Sequence, residues 1–249
     1  MKKLYIFLAI SLFMNALIIK RVFIDTPVVA TVDVETDEVP TDANDLEAIY
    51  YPETEDIFAI HTLEEWFGDT INEAVYLDPT VITHEELRVL SVLHLGFDGL
   101  VHAGEIIVNE QIAEETLEIF KELYEIGFPI EQIRPVSDFN NDDTLSMEAN
   151  NTHGFNFRKI EGTNTWSKHA YGLAIDINPI RNPFVSGDSV RPAMGVDYLD
   201  RNQEALGMIN YGDEVHEIFT KRDWIWGGDW DSYGINDFHH FQRPLVNAE

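Results

Sequence analysis

The sequence contains no cysteine among its 249 residues. Disulfide bonds, thiolate metal sites and a cysteine nucleophile are therefore excluded. A zinc site in this chain would need histidine and carboxylate ligands. The missing cysteine also excludes a lipid anchor attached through a cysteine behind an export signal.

Basic residues are scarce as well. Only 16 Lys and Arg oppose 45 Asp and Glu, which gives a formal net charge of −29. Such a surface repels a phosphate backbone, so nucleic acid is a poor candidate partner. The acidity favours solubility and is compatible with a saline or extracellular setting. The contents of 45% hydrophobic and 12% aromatic residues are typical of a globular protein.

Long apolar runs are missing except at the N-terminus. The opening stretch "MKKLYIFLAISLFMNALIIKRV" has two lysines, an apolar run from Leu4 to Ile19, and a closing Lys-Arg pair. This charge pattern is typical of an export signal, although the run is short for a full bilayer span. We therefore expect residues 1–24 to be an export signal or a membrane anchor. The remainder would work outside the cytoplasm, in the cell envelope.

The rest of the chain divides into two parts. Residues 25–57 are acidic, poor in large aliphatic side chains and without a helical period, which predicts an extended, self-repelling tether. Residues 58–249 are long enough for one domain with a buried core, which we expect to be a monomer.

Hydrophobic periodicity within 58–249 predicts mixed secondary structure. Thr83 and Glu86 have the spacing of a capping box, and Leu87, Leu90 and Leu93 follow at helical spacing, which predicts a helix. Further helices are expected over 112–127 and 212–220, strands at "GEIIVN", "IEQIRPVSDF" and "LAIDINP", and a long loop over 180–198. Without strict βαβ alternation, these elements predict an α+β fold with a mostly antiparallel sheet and flanking helices.

The stretch "WSKHAYGLAIDINP" is the first candidate site. As a strand, "LAIDIN" would place Asp176 on the face opposite Ile175 and Ile177, kept open by the small Ala174. Gly172 would allow a tight backbone approach, so that His169 and Asp176 converge. Alone, the motif also fits an aspartate that is hydrogen-bonded for structure.

The stretch "NDFHHFQ" is the second candidate site, with Asp237, His239 and His240 close together. A hydrolytic zinc site needs three protein ligands, an open position for water and a nearby base. His169, Asp176 and one histidine of the pair supply the ligands, and Asp237 remains as the base. The histidine pair alone would fit a structural role, but the two motifs together favour a metal.

The two motifs resemble signatures of a known family. "SKHAYGLAIDINP" and "DFHHFQ" match the S-x-H-x-x-G-x-A-x-D and acid-x-x-H patterns of the M15 metallopeptidases. These are D-alanyl-D-alanine carboxypeptidases and related peptidoglycan endopeptidases, which share a fold with the Hedgehog signalling domain. The resemblance runs from about Gly96 to Gln242 and implies a Hedgehog/DD-peptidase-like fold.

The resemblance also implies roles for individual residues. His169, Asp176 and His240 correspond to the ligands of one zinc ion, and Asp237 to the catalytic acid/base. His239 would then be a neighbour, and the chain must break its strand alternation between Asp237 and His240. Arg158 corresponds to an arginine near the substrate, and Ser167 to a residue that orients the ligand histidine. Asp143 and Ser146 lie in a matching loop, where they would either bind substrate or form an Asx-type turn.

The implied function is zinc-dependent hydrolysis of a peptidoglycan stem peptide, most simply as a D,D-carboxypeptidase. An endopeptidase of the same family is an alternative, as is a non-catalytic, zinc-stabilised module that binds the cell wall. A metal-dependent phosphoesterase would also use His and Asp ligands, but it requires two metals, and the motifs supply ligands for one.

Overall fold

The computed structural model describes residues 57–244. Its first half is a three-stranded antiparallel meander of β1 (Ala59–Thr62), β2 (Leu87–Leu95) and β3 (Val101–Asn109), in which β2 is central. Two short helices, α1 (Leu63–Phe67) and α2 (Ile71–Ala74), fill the connection from β1 to β2. The predictions for residues 1–24 and for nearly all of 25–57 lie outside the described residues.

The predicted helix after Thr83 is wrong. The capping box of Thr83 and Glu86 is present, but it caps only one 3-10 turn, His84–Glu86. The following residues form β2, which is buried on both faces. A strand covered on both faces carries leucines without strict alternation, and it therefore imitates helical spacing.

The predicted helix over 112–127 is confirmed as α3 (Glu110–Glu125). Asn109 caps its N-terminus by accepting a hydrogen bond from the backbone N–H of Gln111. The apolar stripe of α3 packs on β2, and Gly127 follows with a positive φ of 67°. The buried side chains of this stripe are Ile112, Leu117, Ile119, Phe120 and Leu123.

The second half is built from short strands. The strand β4 (Gln132–Ile133) pairs in parallel with β5 (Asn151–Thr152), and α4 (Asp143–Glu148) lies between them in sequence. The predicted strand at "IEQIRPVSDF" is therefore reduced to two residues, because a 3-10 turn at Val136–Phe139 follows Pro135. The predicted helix near 212–220 is confirmed as α5 (Glu214–Thr220).

Two three-stranded antiparallel sheets complete this half. One has the order β6 (Ala174–Asp176), β11 (His240–Gln242), β9 (Ile225–Trp226). The other has the order β10 (Ile235–Asp237), β7 (Phe184–Ser186), β8 (Ser189–Arg191). The predicted loop 180–198 thus contains a hairpin and a 3-10 helix, Ala193–Tyr198.

The predicted α+β class with antiparallel pairing is confirmed, although the strands form four small sheets. The likeness to the Hedgehog/DD-peptidase fold stays a prediction. Between residues 57 and 244, no helix combines the length and the apolar character needed to cross a membrane.

Candidate metal centre

Strand pairing brings Asp176 and His240 together. They lie directly opposite each other in the antiparallel pair of β6 and β11, so their side chains share one face. Oδ1 of Asp176 is 2.9 Å from Nδ1 of His240. The predicted open face is wrong, since Ala174 and Asp176 are 0% and 1% exposed. The carboxylate is covered by histidine rings.

A tight turn brings His169 to the same point. The turn Lys168–Tyr171 is capped by Ser167, whose hydroxyl accepts a hydrogen bond from the backbone N–H of His169. It ends at Gly172, which has a φ of 65°. A Cβ at Gly172 would lie 2.6 Å from the backbone nitrogen of Asn109, so the turn rests directly on the end of β3.

The three ligand atoms are spaced as a tetrahedral ion requires. Nε2 of His169 is 3.1 Å from Oδ1 of Asp176 and 3.1 Å from Nδ1 of His240. Zinc bonds of about 2.0–2.1 Å in tetrahedral geometry place neighbouring ligand atoms about 3.3 Å apart. The rings of His169 and His240 meet at an interplanar angle of 65°, so both ring planes can contain one point. The donor set therefore fits one zinc ion.

Hydrogen bonds on the far side of each ring fix the tautomers that ligation needs. Nδ1 of His169 donates to the carbonyl of Gly154 at 2.6 Å, and Nε2 of His240 lies 3.2 Å from Oε1 of Gln242. A carbonyl oxygen only accepts, so the nitrogen that faces it carries the proton. The opposite nitrogen then presents its lone pair to the shared point.

His153 is a buried member of the cluster that the two sequence motifs do not contain. Its backbone exchanges two hydrogen bonds with that of Asp176, and its Nε2 lies 3.9 Å from Oδ2 of that residue. One ligand atom each from His153, His169 and Asp176 lie within 4.8 Å of one another, so this trio could also bind a metal ion. Neither ring nitrogen of His153 has a hydrogen-bond partner among residues 57–244.

The orientation of the histidine rings distinguishes the two candidate sets of three ligands, one with His153 and one with His240. The rings of His153 and His169 are stacked, with an interplanar angle of 29° and a centroid distance of 5.2 Å. Imidazole lone pairs lie in the ring plane, so two nearly parallel rings do not aim at one nearby ion. Asp176 and His169 thus belong to two candidate ligand sets, and in the set with His240 the two ring planes are inclined by 65°.

The electrostatics of the cluster favour an ionised Asp176 and a neutral His153. Burial acts to raise the pKa of Asp176. The pKa nevertheless lies well below its usual range, because His169 and His239 contribute opposing charge and His169 and His240 hydrogen-bond to the carboxylate. Burial lowers the pKa of His153 to about 4, against the opposing charge of Asp176. The ionised carboxylate is the form that ligates a metal. Burial lowers the pKa of His240, but the hydrogen bond to Asp176 and the charge of Asp176 outweigh it and raise the value, so zinc would have to displace a proton from that ring.

Asp237 lies beside this cluster, at the end of β10. Between Asp237 and His240 the chain leaves one sheet and joins another, which supplies the break in alternation that the motif requires. Oδ1 of Asp237 is 2.9 Å from Nε2 of His239, whose Nδ1 donates to the carbonyl of Asn182 at 2.7 Å. Burial lowers the pKa of His239, but the charges of Asp237 and Asp176 outweigh it and raise the value to about 9. His239 thus holds Asp237 against the cluster.

The turn "WGGDW" packs against the backbone around Asp237. Nε1 of Trp226 donates to the carbonyl of Phe238, and Nδ2 of Asn236 donates to the carbonyl of Gly228. Trp224 and Trp226 are both 3% exposed, as expected for packing residues. A Cβ at Gly227 would lie 2.5 Å from the carbonyl oxygen of Asp237 and 2.7 Å from its Cβ. Only glycine permits this approach.

We therefore expect Gly227→Ala to displace Asp237 and to reduce kcat by about 10- to 100-fold, because misplacement of a reacting group by about 1 Å has an effect of this size. Steady-state hydrolysis and zinc content would be measured together, and zinc content should not change. Gly234→Ala is the matched control. It lies at the end of the same turn with a φ of 73° and open space around it, so it should lower stability while keeping kcat. An unchanged kcat in Gly227→Ala would contradict this role.

The remaining predicted residues each contact neighbouring polar side chains. Nε of Arg158 is 3.1 Å from Oδ1 of Asp143, which also accepts a hydrogen bond from Nδ2 of Asn156. Both side chains are partly exposed. The contact with Asp143 orients the guanidinium of Arg158. Ser146 is fully buried and accepts a hydrogen bond from Nδ2 of Asn151, so its side chain supports the loop from within.

Comparison with known proteins gives one match. Residues 161–243 match an M15 peptidase family model described as D-alanyl-D-alanine carboxypeptidase. The matched segment contains His169, Asp176, Asp237 and His240, whereas Asp143, His153 and Arg158 precede it. Searches of curated proteins and of solved structures found no match. The match supports a peptidase of a family that is zinc-dependent in general.

Proposed function

We propose that this protein is a zinc-dependent D,D-carboxypeptidase that acts on the stem peptides of bacterial peptidoglycan. One observation carries the proposal. Three ligand atoms spaced 2.9–3.1 Å apart are presented within a segment that matches a D-alanyl-D-alanine carboxypeptidase family model.

His169, Asp176 and His240 would hold the ion, as three protein ligands do in catalytic zinc sites. When bound, zinc lowers the pKa of a water molecule toward about 7 and polarises a carbonyl group. Gly154 and Gln242 keep the two imidazoles in the ligating tautomer through their hydrogen bonds.

Asp237 is the general base in this proposal. It would take the proton from the attacking water and hand it to the leaving amine, a double role that positioned carboxylates perform in peptide hydrolysis. Its contact with His239 fixes the carboxylate beside the ligands. Ser167 would act through His169 by capping its turn.

Arg158 would bind the terminal carboxylate of the substrate or the oxyanion of the tetrahedral intermediate. Its contact with Asp143 is made by Nε, so the two terminal nitrogens can form a fork toward a carboxylate. A terminal carboxylate held beside the ion favours the carboxypeptidase over the related endopeptidase. The non-catalytic module is disfavoured because Asp237 accompanies a full ligand set.

The sequence supports a proposal for the cellular setting. The basic and apolar residues 1–24 would export the chain or anchor it in the membrane, and residues 25–57 would tether the domain outside the cytoplasm. We propose that the domain acts as a monomer on the cell envelope.

Metal removal tests the function. Defined muropeptides that end in D-Ala-D-Ala would be incubated with zinc-loaded, chelator-treated and zinc-restored protein, and the product masses would be measured. We expect loss of one terminal alanine with zinc, none after chelation, and recovery on restoration. Internal cleavage products would identify an endopeptidase. Binding of muropeptides without cleavage would leave the non-catalytic module.

A further inference from the structure

The strand register extends the candidate site beyond Asp237. In the sheet β10–β7–β8, Asp237 lies opposite Phe184, and Phe184 lies opposite Arg191. Directly opposed residues of antiparallel strands project their side chains to the same face. Asp237, Phe184 and Arg191 therefore form a row on one face, as the packing of the Arg191 guanidinium 4.8 Å from the Phe184 ring centroid supports.

The dimensions of this row follow from sheet geometry. Neighbouring strands are about 4.8 Å apart, so the backbones at Arg191 and Asp237 are about 10 Å apart, with the half-buried Phe184 between them. An extended peptide advances about 3.3 Å per residue. A group bound by Arg191 would therefore be about three residues from a bond cut beside Asp237. The carboxylate of a single departing residue is too close to the cut bond to reach it.

Arg191 already holds a carboxylate. Its Nη1 contacts Oε2 of Glu161, and both side chains are well exposed. Glu161 lies at the tip of the hairpin 158–167, which starts at Arg158 and ends at Ser167. The ion pair thus joins the segment that leads into the His169 turn to the sheet that carries Asp237. An exposed ion pair of this kind is weak, so a substrate group can displace Glu161.

The local charge is opposite to that of the whole chain. Residues 158–191 contain five of the 16 basic residues and only three acids, one of which is the buried Asp176. In a protein of net charge −29, this stretch repels an anionic substrate less than the chain does on average.

Resting on the proposed function, we infer that Phe184 and Arg191 form a second substrate subsite, which binds a carboxylate about three residues from the scissile bond. Phe184 contacts the apolar part of the intervening residue, and Arg191 binds the carboxylate. Glu161 occupies the subsite in the free protein and leaves it when substrate binds.

The test uses pairs of peptides that end in D-Ala-D-Ala. The members of each pair differ by Glu or Gln placed two, three or four residues from the cut bond. For the acidic member with the three-residue spacing we expect KM to be about tenfold lower than for its amide partner, the size of a charge-assisted hydrogen bond. Arg191→Gln should abolish the difference in KM between the acidic and the amide peptide, and Arg191→Lys should restore part of it. Glu161→Gln should lower KM for the acidic peptide about threefold, because the competing carboxylate is gone.

Arg222→Gln is the matched control, since Arg222 forms a similar pair with Glu122 where α5 meets α3. It should leave the acid-to-amide ratio unchanged. Equal KM values for acidic and amide peptides in the wild type would overturn the subsite while leaving the proposed function intact. If no peptide is cleaved, the proposed function fails, and fluorescence anisotropy of the same labelled peptides then tests the subsite. Equal binding of acid and amide by the wild type would overturn it.

Discussion

Asp237→Asn should reduce kcat for hydrolysis by about 100- to 10,000-fold and should leave zinc bound. Asparagine keeps the size of the side chain and can still contact His239, but it cannot accept the proton of the attacking water. Loss of a positioned general base has an effect of this magnitude. Hydrolysis of a D-Ala-D-Ala muropeptide would be followed by mass spectrometry, and zinc content by atomic absorption.

Asp231→Asn is the matched control for this substitution. Asp231 is exposed on the turn that precedes β10, and the same change in charge there should leave kcat within about twofold. If Asp237→Asn hydrolysed the peptide at the wild-type rate with zinc bound, Asp237 would not be the base. Loss of zinc in the same variant would instead make Asp237 a ligand.

Asp176→Asn should abolish zinc binding and hydrolysis together. The carboxylate is buried, its Oδ1 is shared between His169 and His240, and a neutral amide oxygen is a much weaker ligand. Metal that binds only the folded state stabilises it by about 4 kcal/mol at a thousandfold excess over Kd. Chelation should therefore lower the Tm of the wild type and leave that of Asp176→Asn unchanged. Calorimetric titration with zinc would measure the affinity directly.

A pair of histidine variants distinguishes the two possible ligand trios. Gln has a size similar to that of His but is a poor zinc ligand. We expect His240→Gln to lose zinc and His153→Gln to keep it, because the ring of His153 is stacked on that of His169. The reverse outcome would assign the ion to His153, His169 and Asp176.

The sequence predicted the parts of the site that are local in the chain. The spacing of His169, Gly172 and Asp176 describes a turn and the strand it enters, and such local geometry can be read from the residues. The motifs did not predict His153 as a member of the cluster, because it reaches the cluster through backbone pairing with Asp176. A contact of this kind leaves no local pattern in the sequence. Likewise, β2 was read as a helix because burial on both faces removed the alternation that identifies a strand.

The structures of β2 and of the 180–198 segment depend on pairing with strands that are distant in sequence. β2 is a strand because β1 and β3 pair with both of its edges. Phe184 and Arg191 gain a position relative to Asp237 only when β7 pairs with β10. Sequence motifs predicted the candidate ligands, whereas the surfaces that would select a substrate depend on tertiary pairing.

The contact of Gly172 with the end of β3 limits how the chain can be divided. The carbonyl of Gly172 accepts a hydrogen bond from the backbone N–H of Asn109, and the N–H of Phe155 donates to the carbonyl of Ile107. The turn that carries His169 is thus mounted on a strand far upstream of the segment 161–243. A truncated chain that kept only that segment would retain every proposed ligand and the proposed base, yet it would lack the support on which they are aligned. A fragment that keeps the geometry of the candidate site must therefore include the meander.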